Sequence, residues 1–190
     1  MVSGRKGQQN MLNRQHIWKR FVQNRRGVVA VEMALIAPVM ISMYLGTVEL
    51  QDYFTVDRKL TTLTSTLADL VTQTNKMDNA EMTNIFNASS TIMKPYKTSN
   101  VKMRVTVVDV PKTPGQPTTV YESRARNMPP LAKGAVYPIP ATLRVPGEQI
   151  VVAEVSLNYA SPVGGFIMKS GISVNRKYYL KPRYGNINWN

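Results

Sequence analysis

The sequence contains no cysteine and only one histidine, His16. The lack of cysteine excludes disulfide bonds and thiolate metal sites, and a lone histidine excludes a histidine-based metal cluster or relay. Acidic residues are few and dispersed, and no nucleophile, base and orienting group form a recognisable motif. We therefore expect no enzymatic activity, no cofactor and no metal site. The length of 190 residues and the apolar content of 43% are enough for one folded domain with accessory segments.

Acidic residues are absent from the first 27 positions, which carry seven lysines and arginines. This segment supplies seven of the net +13 charges, and the basic residues after Val28 are scattered among acidic ones. No recognised nucleic-acid-binding module accompanies the charge, so we expect no nucleic-acid partner. A scattered basic face is more typical of a solvated surface, or of one that faces an anionic surface.

Basic residues are in turn absent from residues 28–50, VVAVEMALIAPVMISMYLGTVEL, whose only acids are Glu32 and Glu49. As a helix this segment would be about 35 Å long, enough to cross the hydrocarbon core of a bilayer. The positive-inside rule places residues 1–27 in the cytoplasm and residues 51–190 on the other side of the membrane. We expect Glu49 and Asp52 to mark the point where the helix emerges into water.

Three kinds of N-terminal segment compete on these features. A secretory signal peptide is disfavoured because Glu32 interrupts the early apolar run and no small-residue cleavage site follows. A twin-arginine signal has only the pair Arg25-Arg26 in its favour. A plain uncleaved anchor explains the apolar span and the charges, but it leaves Gly27 followed by Glu32 unexplained.

A basic leader that ends in glycine, followed by an apolar helix with glutamate as its fifth residue, resembles the type IV prepilin class. The resemblance implies that a prepilin peptidase cuts between Gly27 and Val28 and makes Glu32 the fifth residue of the mature chain. Val28 and Glu32 then lie four residues apart on one helix face. A carboxylate is favoured near a helix N-terminus and a cation is not, so Glu32 can neutralise the new amine of Val28 or that of a neighbouring subunit.

Within that class, the stretch from Gly27 onward resembles the TadE-like family, the minor pseudopilins of tight-adherence (Flp) pilus systems. The matching residues are Ala30, Glu32, Ala34, Leu35, Pro38, Gly46 and Glu49. Met33 departs from the aromatic residue that usually follows the glutamate. Residues 145–166 and 178–185 resemble the family's late strands more loosely.

The resemblance implies a set of partners and a location. The partners are the prepilin peptidase, other pilins and pseudopilins, the inner-membrane assembly platform and membrane lipid. The location is the bacterial inner membrane, single-pass, with the N-terminus cytoplasmic and the C-terminus periplasmic, and with incorporation into an extracellular pilus as a further expectation. Pro38 is assigned to assembly through a kink that sets helix packing, with a purely structural kink as the alternative.

Residues 51–190 are predicted to form an extracytoplasmic α+β domain, with helices over about 57–94 and a sheet over about 100–184. Leucines and a valine recur at helical spacing in the first part: Leu60, Leu63, Leu67, Leu70 and Val71. Asp78 and Glu81 have the spacing of a helix cap, before a second stripe that contains Met82, Ile85, Phe86, Ser89 and Ile92 and ends before Pro95.

Strand patterns dominate the C-terminal half. Residues 101–110 alternate apolar and polar side chains, and residues 118–125 follow a turn at 111–117 as their hairpin partner. Residues 127–147 hold five prolines and are predicted to be a surface excursion with a short helix or turn, open to a partner. Residues 149–159 are the strongest strand, with the segment from Ile172 as their antiparallel partner. Helices followed by strands give an α+β fold, a pilin-like helix packed on a sheet.

Two functions from different classes remain open on these features. One is a minor pseudopilin that is matured by a prepilin peptidase and takes part in assembly of the pilus for surface adhesion. The other is an uncleaved, single-pass membrane-anchored periplasmic protein that acts as a scaffold or binding module. The two differ in whether residues 1–27 are removed.

Overall fold

The computed structural model describes residues 25–113, 115–160 and 171–189. Most of the predicted leader and most of the predicted connection between the last two strands lie outside the described residues. The helices are α1 (Arg25–Thr72) and α2 (Asn79–Ser90). The strands are β1 (Lys76–Met77), β2 (Lys102–Asp109), β3 (Thr119–Arg126), β4 (Gln149–Tyr159), β5 (Ile172–Leu180) and β6 (Asn188–Trp189). The chain divides into two compact units between Val48 and Glu49, so α1 contributes to both.

Within the described residues, four strands of the second unit form an antiparallel sheet in the order β3-β2-β4-β5. β4 is central and is buried on both faces, which explains its nearly unbroken apolar sequence. Val151, Ala153 and Val155 belong to one core cluster, and Ile150 and Val152 to a second cluster on the other face. The fold is α+β, which confirms the predicted class and the predicted pairing of β2 with β3 and of β4 with β5.

The larger core cluster joins the second half of α1 to one face of the sheet. Its α1 members are Val56, Leu60, Leu63, Leu67, Ala68 and Val71. The predicted stripe was right for four of these residues, but it missed Val56 and Ala68 and wrongly included Leu70, which is only half-buried. The threonines of this helix are compatible with burial because their hydroxyls bond within the helix, as Thr64 Oγ1 does to the Leu60 carbonyl at 2.7 Å.

The second predicted helix is confirmed together with its cap. Asp78 precedes α2 in an extended conformation, and its carboxylate accepts a hydrogen bond from the Glu81 backbone N–H at 2.7 Å. α2 ends at Ser90, and the predicted stripe residue Ile92 lies in a 3₁₀ turn over Thr91–Met93. Lys94 is extended because the following residue, Pro95, disfavours the helical conformation before it.

The proline-rich segment 127–147 differs from the predicted surface excursion. It contains the expected short turn, a 3₁₀ helix at Ala141–Leu143, but Tyr137 and Ile139 are buried in the second core cluster. Tyr137 N–H donates to the Thr118 carbonyl at 2.9 Å, which fastens the segment along β3. The segment therefore covers the sheet face opposite α1, because that face of β2 and β4 is apolar and needs a cover.

A two-stranded parallel pair, β1 with β6, was not predicted. Asn188 N–H donates to the Asn75 carbonyl at 2.9 Å, and Ile187 is fully buried. Two-residue strands carry too little periodicity to be read from sequence. The pair ties the end of the described chain to the turn between α1 and α2.

Candidate functional site

The predicted processing residues lie in the first turn of α1, which begins at Arg25. Gly27 and Val28 are helical, so the predicted cleavage point falls inside the helix as it stands in the uncleaved chain. Glu32 follows Val28 by four residues and is exposed. The structure thus places Val28 and Glu32 on one helix face.

Most apolar side chains of α1 in the first unit are exposed. Val31 is 59% exposed, Leu35 71% and Tyr44 69%, and no part of the most apolar stretch of the helix is buried. Contiguous apolar surface of this size marks a surface that lipid or other protein must cover. By length and composition, α1 is long and apolar enough to cross a membrane.

Pro38 lies inside α1, and the helix continues through it without a break. Proline lacks the N–H that would bond to the carbonyl of Ala34 one turn earlier. Ser42 Oγ donates to the Pro38 carbonyl at 2.7 Å, and Thr47 Oγ1 donates to the Met43 carbonyl at 2.9 Å. These hydroxyls are therefore satisfied within the helix and need no water. A helix in lipid must satisfy its polar groups in this way.

The expectation that Glu49 and Asp52 mark the emergence of α1 into water is wrong for Glu49, which is fully buried. Asp52 is half-buried, and its two carboxylate oxygens accept hydrogen bonds from Tyr96 at 2.5 Å and from Tyr159 at 2.6 Å. Tyr159 also packs edge-on against Tyr53, with 5.9 Å between the ring centroids. Asp52 therefore joins the start of α1 in the second unit to the end of β4 and to the segment after α2.

The electrostatics of this carboxylate–tyrosine group follow from burial. Burial raises the pKa of Tyr96 to about 12, and the hydrogen bond to Asp52 acts in the same direction. Tyr96 therefore stays protonated at physiological pH and keeps its hydrogen bond. The group is a structural anchor, because its two hydrogen bonds join three separate segments of the second unit.

A second polar cluster lies between the central strands and the proline-rich segment. Glu154 accepts hydrogen bonds from Arg104 Nε at 2.7 Å and from the Tyr137 hydroxyl at 2.9 Å, and Lys177 Nζ lies 2.7 Å from the same carboxylate. Burial acts to raise the pKa of Glu154, but the hydrogen bonds from Lys177, Arg104 and Tyr137 outweigh it and hold the pKa below the ordinary value of 4.5.

The lowered pKa of Glu154 predicts that the stability of the folded protein depends on pH. A carboxyl group whose pKa is lower in the folded state stabilises the fold above its unfolded pKa, and this contribution is lost as the pH falls through the folded value. We expect the melting temperature of the wild-type protein to fall more steeply than that of Glu154→Gln as the pH is lowered below about 4.5. Thermal unfolding followed by circular dichroism between pH 7 and pH 3 measures this, and parallel curves for the two proteins would contradict it.

A cleft of about 390 Å³ lies between α2 and β3. Its rim holds Arg124 and Arg126, which donate to the side-chain oxygens of Asn79 at 2.7 Å and of Asn87 at 2.8 Å. Arg124 is also paired with Glu122. These hydrogen bonds of the two arginines connect β3 to α2 along the rim of the cleft. Among residues 25–113, 115–160 and 171–189, no three carboxylates lie close enough together to hold a metal ion.

The sequence pattern identifies the candidate residues of α1 but does not identify the two polar clusters of the second unit. Gly27, Val28, Glu32 and Pro38 all lie on one helix, so their spacing alone was informative. Asp52 and its tyrosines are 44 and 107 residues apart in sequence. Only the packing of α1 against the end of β4 and the segment after α2 brings them together, although an acid at the start of a buried stripe was a signal that could have drawn attention to Asp52.

Comparison with known families agrees with this division of the chain. The sequence model of the TadE-like protein family matches residues 27–69, which make up most of α1. The match confirms the predicted resemblance and associates the chain with tight-adherence pilus systems. It covers well under half of the chain and does not reach the sheet. No curated protein and no solved structure matches the chain.

Proposed function

We propose, from the TadE-like match over α1, that this protein is a minor pseudopilin of a tight-adherence pilus, matured by a prepilin peptidase. The observation that carries the proposal is the exposed apolar half of α1, which starts at Gly27 and holds a single carboxylate, Glu32, up to Val48. Such a surface needs a lipid or protein cover, and a pilin helix has both in turn: the bilayer first and other pilin helices afterwards.

The proposed mechanism is assembly. The peptidase cuts between Gly27 and Val28, which removes the basic segment that would hold the helix end in the cytoplasm. The new Val28 amine opposes the helix dipole, and the carboxylate of Glu32 compensates it one turn away or across a subunit contact. Because a buried charge in a dry helix bundle is costly when unpaired, this pair favours entry of the helix among other pilin helices.

The N-terminal residue of the protein in its native host tests the proposal. We expect intact mass and terminal sequencing to give a chain that starts at Val28 when the prepilin peptidase is present, and one that retains residues 1–27 in a peptidase-deficient strain. A chain that still starts at Met1 beside an active peptidase contradicts maturation. Cleavage at another bond contradicts the assignment of Gly27.

The second candidate is an uncleaved membrane-anchored scaffold or binding protein. The continuity of α1 across Gly27 and Val28 favours it, because a helical peptide bond must unwind before a peptidase can cut it. This candidate predicts indifference to substitution at Gly27, whereas the pseudopilin predicts that Gly27→Leu blocks cleavage. Gly46→Leu, a glycine of the same helix away from the predicted cut, is the control for non-specific effects on insertion.

A further inference from the structure

The second unit has a distinct end at which α1 enters, fixed by contacts of the first helical turns after Glu49. Asp52 bonds to Tyr96 and Tyr159, as described above. Lys59 Nζ donates to the carbonyls of Ile92 at 3.2 Å and of Lys94 at 2.8 Å. These bonds hold the segment 92–97 beside the first turns of α1 in this unit. We call this part of the surface the entry end.

Basic side chains are exposed at the entry end without a carboxylate partner among the described residues. They are Lys94 and Lys97, in the segment held beside α1, and Lys102, the first residue of β2. Lys102 is in register with Ser156, three residues before Tyr159, which bonds to Asp52. Three free ammonium groups therefore share this end of the unit.

The acidic side chains at the entry end are buried or have hydrogen-bond or ion-pair partners. Glu49 is fully buried, Asp52 is held by two tyrosines, and Asp57 is paired with Arg176. A basic end whose acids are buried or paired presents a positive potential, unlike a surface on which both signs alternate.

The opposite end of the unit has such an alternation. There Lys181 pairs with Glu148 at 2.5 Å, and Arg183 pairs with Asp69. The charge asymmetry between the two ends is therefore a property of the fold, and the sequence order does not show it.

Apolar side chains accompany the lysines at the entry end. Leu50 is 42% exposed and Phe54 is 56% exposed, and the two lie one helical turn apart on α1. Basic side chains beside exposed aromatic and aliphatic ones are the combination found at the headgroup level of membranes.

We propose that the entry end is a lipid-binding surface that takes the anionic headgroups of phospholipids through Lys94, Lys97 and Lys102. The proposal rests on the proposed function, because it requires α1 to enter a bilayer before Glu49. Near an anionic membrane surface each lysine strengthens binding about five-fold, and the effect declines within a Debye length. Assembly into a pilus then has to break these contacts, so the surface favours retention of the subunit in the membrane.

The test uses the full chain in lipid nanodiscs. Because the chain has no cysteine, Ser99→Cys provides a unique labelling position, exposed in the 3₁₀ turn between Lys97 and Lys102. A fluorophore on this cysteine is quenched by lipids that carry a nitroxide on the headgroup. We expect quenching in phosphatidylglycerol discs to exceed that in phosphatidylcholine discs at least five-fold at low salt. We also expect it to weaken at high salt.

Charge-reversal variants at two places on the unit separate the entry-end lysines from other exposed lysines. In the labelled chain, K94E/K97E/K102E should abolish the difference between the two lipids. K76E/K112E, which changes exposed lysines outside the entry end, should preserve it. Equal quenching in both lipids, or the same loss in both variants, overturns the proposal. If the chain inserts but shows no lipid preference, only this inference falls, whereas a failure to insert overturns membrane anchoring as well.

Discussion

Replacing Glu32 with glutamine is expected to lower the incorporation of the protein into pili by about 100-fold while its amount in the membrane stays the same. Under the proposed function, Glu32 lies near the helix end in the bilayer, where a carboxylate is tolerated, so insertion does not depend on it. In the dry helix bundle of the proposed pilus, the variant leaves the amine of Val28 without its compensating charge. An unpaired buried charge costs about 3–5 kcal/mol, and each 1.4 kcal/mol is a factor of ten. Quantitative mass spectrometry of sheared pili and of membranes measures the ratio.

Glu81→Gln is the matched control for the Glu32 variant. Glu81 is exposed in the first turn of α2, and the cap there uses its backbone N–H, so the substitution changes charge without removing the cap. We expect this variant to enter pili at the wild-type level. If Glu32→Gln enters pili at the same level as Glu81→Gln, the carboxylate of Glu32 does not serve assembly. If Glu32→Gln were lost from the membrane as well as from the pili, the carboxylate of Glu32 would be needed for insertion.

The elements that could be predicted from sequence are those whose signal is local and periodic. α1 combines an apolar run that lacks basic residues with a leucine stripe, and β4 combines length with a mostly apolar sequence. The N-cap of α2 uses residues three apart, the carboxylate of Asp78 and the backbone N–H of Glu81. In each case the residues that determine the element are neighbours along the chain, so pattern and structure agree.

What could not be predicted depends on contacts between distant segments. The proline-rich segment has no regular strand or helix pattern, yet its alternation around Tyr137 and Ile139 buries two side chains against the outer sheet face. Glu154 is a single acid in an apolar strand, and only the register of β2 and β5 supplies its partners, Arg104 and Lys177. Glu49 has the hydropathy of a water-facing residue, and tertiary packing overrides it.

Asp52→Ala is expected to lower the free energy of unfolding of the second unit by about 2–3 kcal/mol. The substitution removes the acceptor of the hydrogen bonds from Tyr96 and Tyr159, and hydrogen bonds to a charged group contribute about 1.5–3 kcal/mol each. The expected loss lies at or below the lower end of the combined range of about 3–6 kcal/mol, because Asp52 and Tyr96 are only half-buried. Denaturant unfolding of the full chain in detergent, followed by tyrosine fluorescence, measures the change.

Asp69→Ala tests whether this loss is specific to a buried anchor. Asp69 pairs with Arg183 at the surface, with 37% and 57% of the two side chains exposed, and an exposed pair contributes at most about 1 kcal/mol. Asp52→Asn should lie between wild type and Asp52→Ala, because the amide keeps one acceptor oxygen for one of the two tyrosines. Equal destabilisation by Asp52→Ala and Asp69→Ala would mean that the tyrosines find other acceptors. The junction of α1 with the sheet would then depend on the apolar core around Val56 and Leu60 alone.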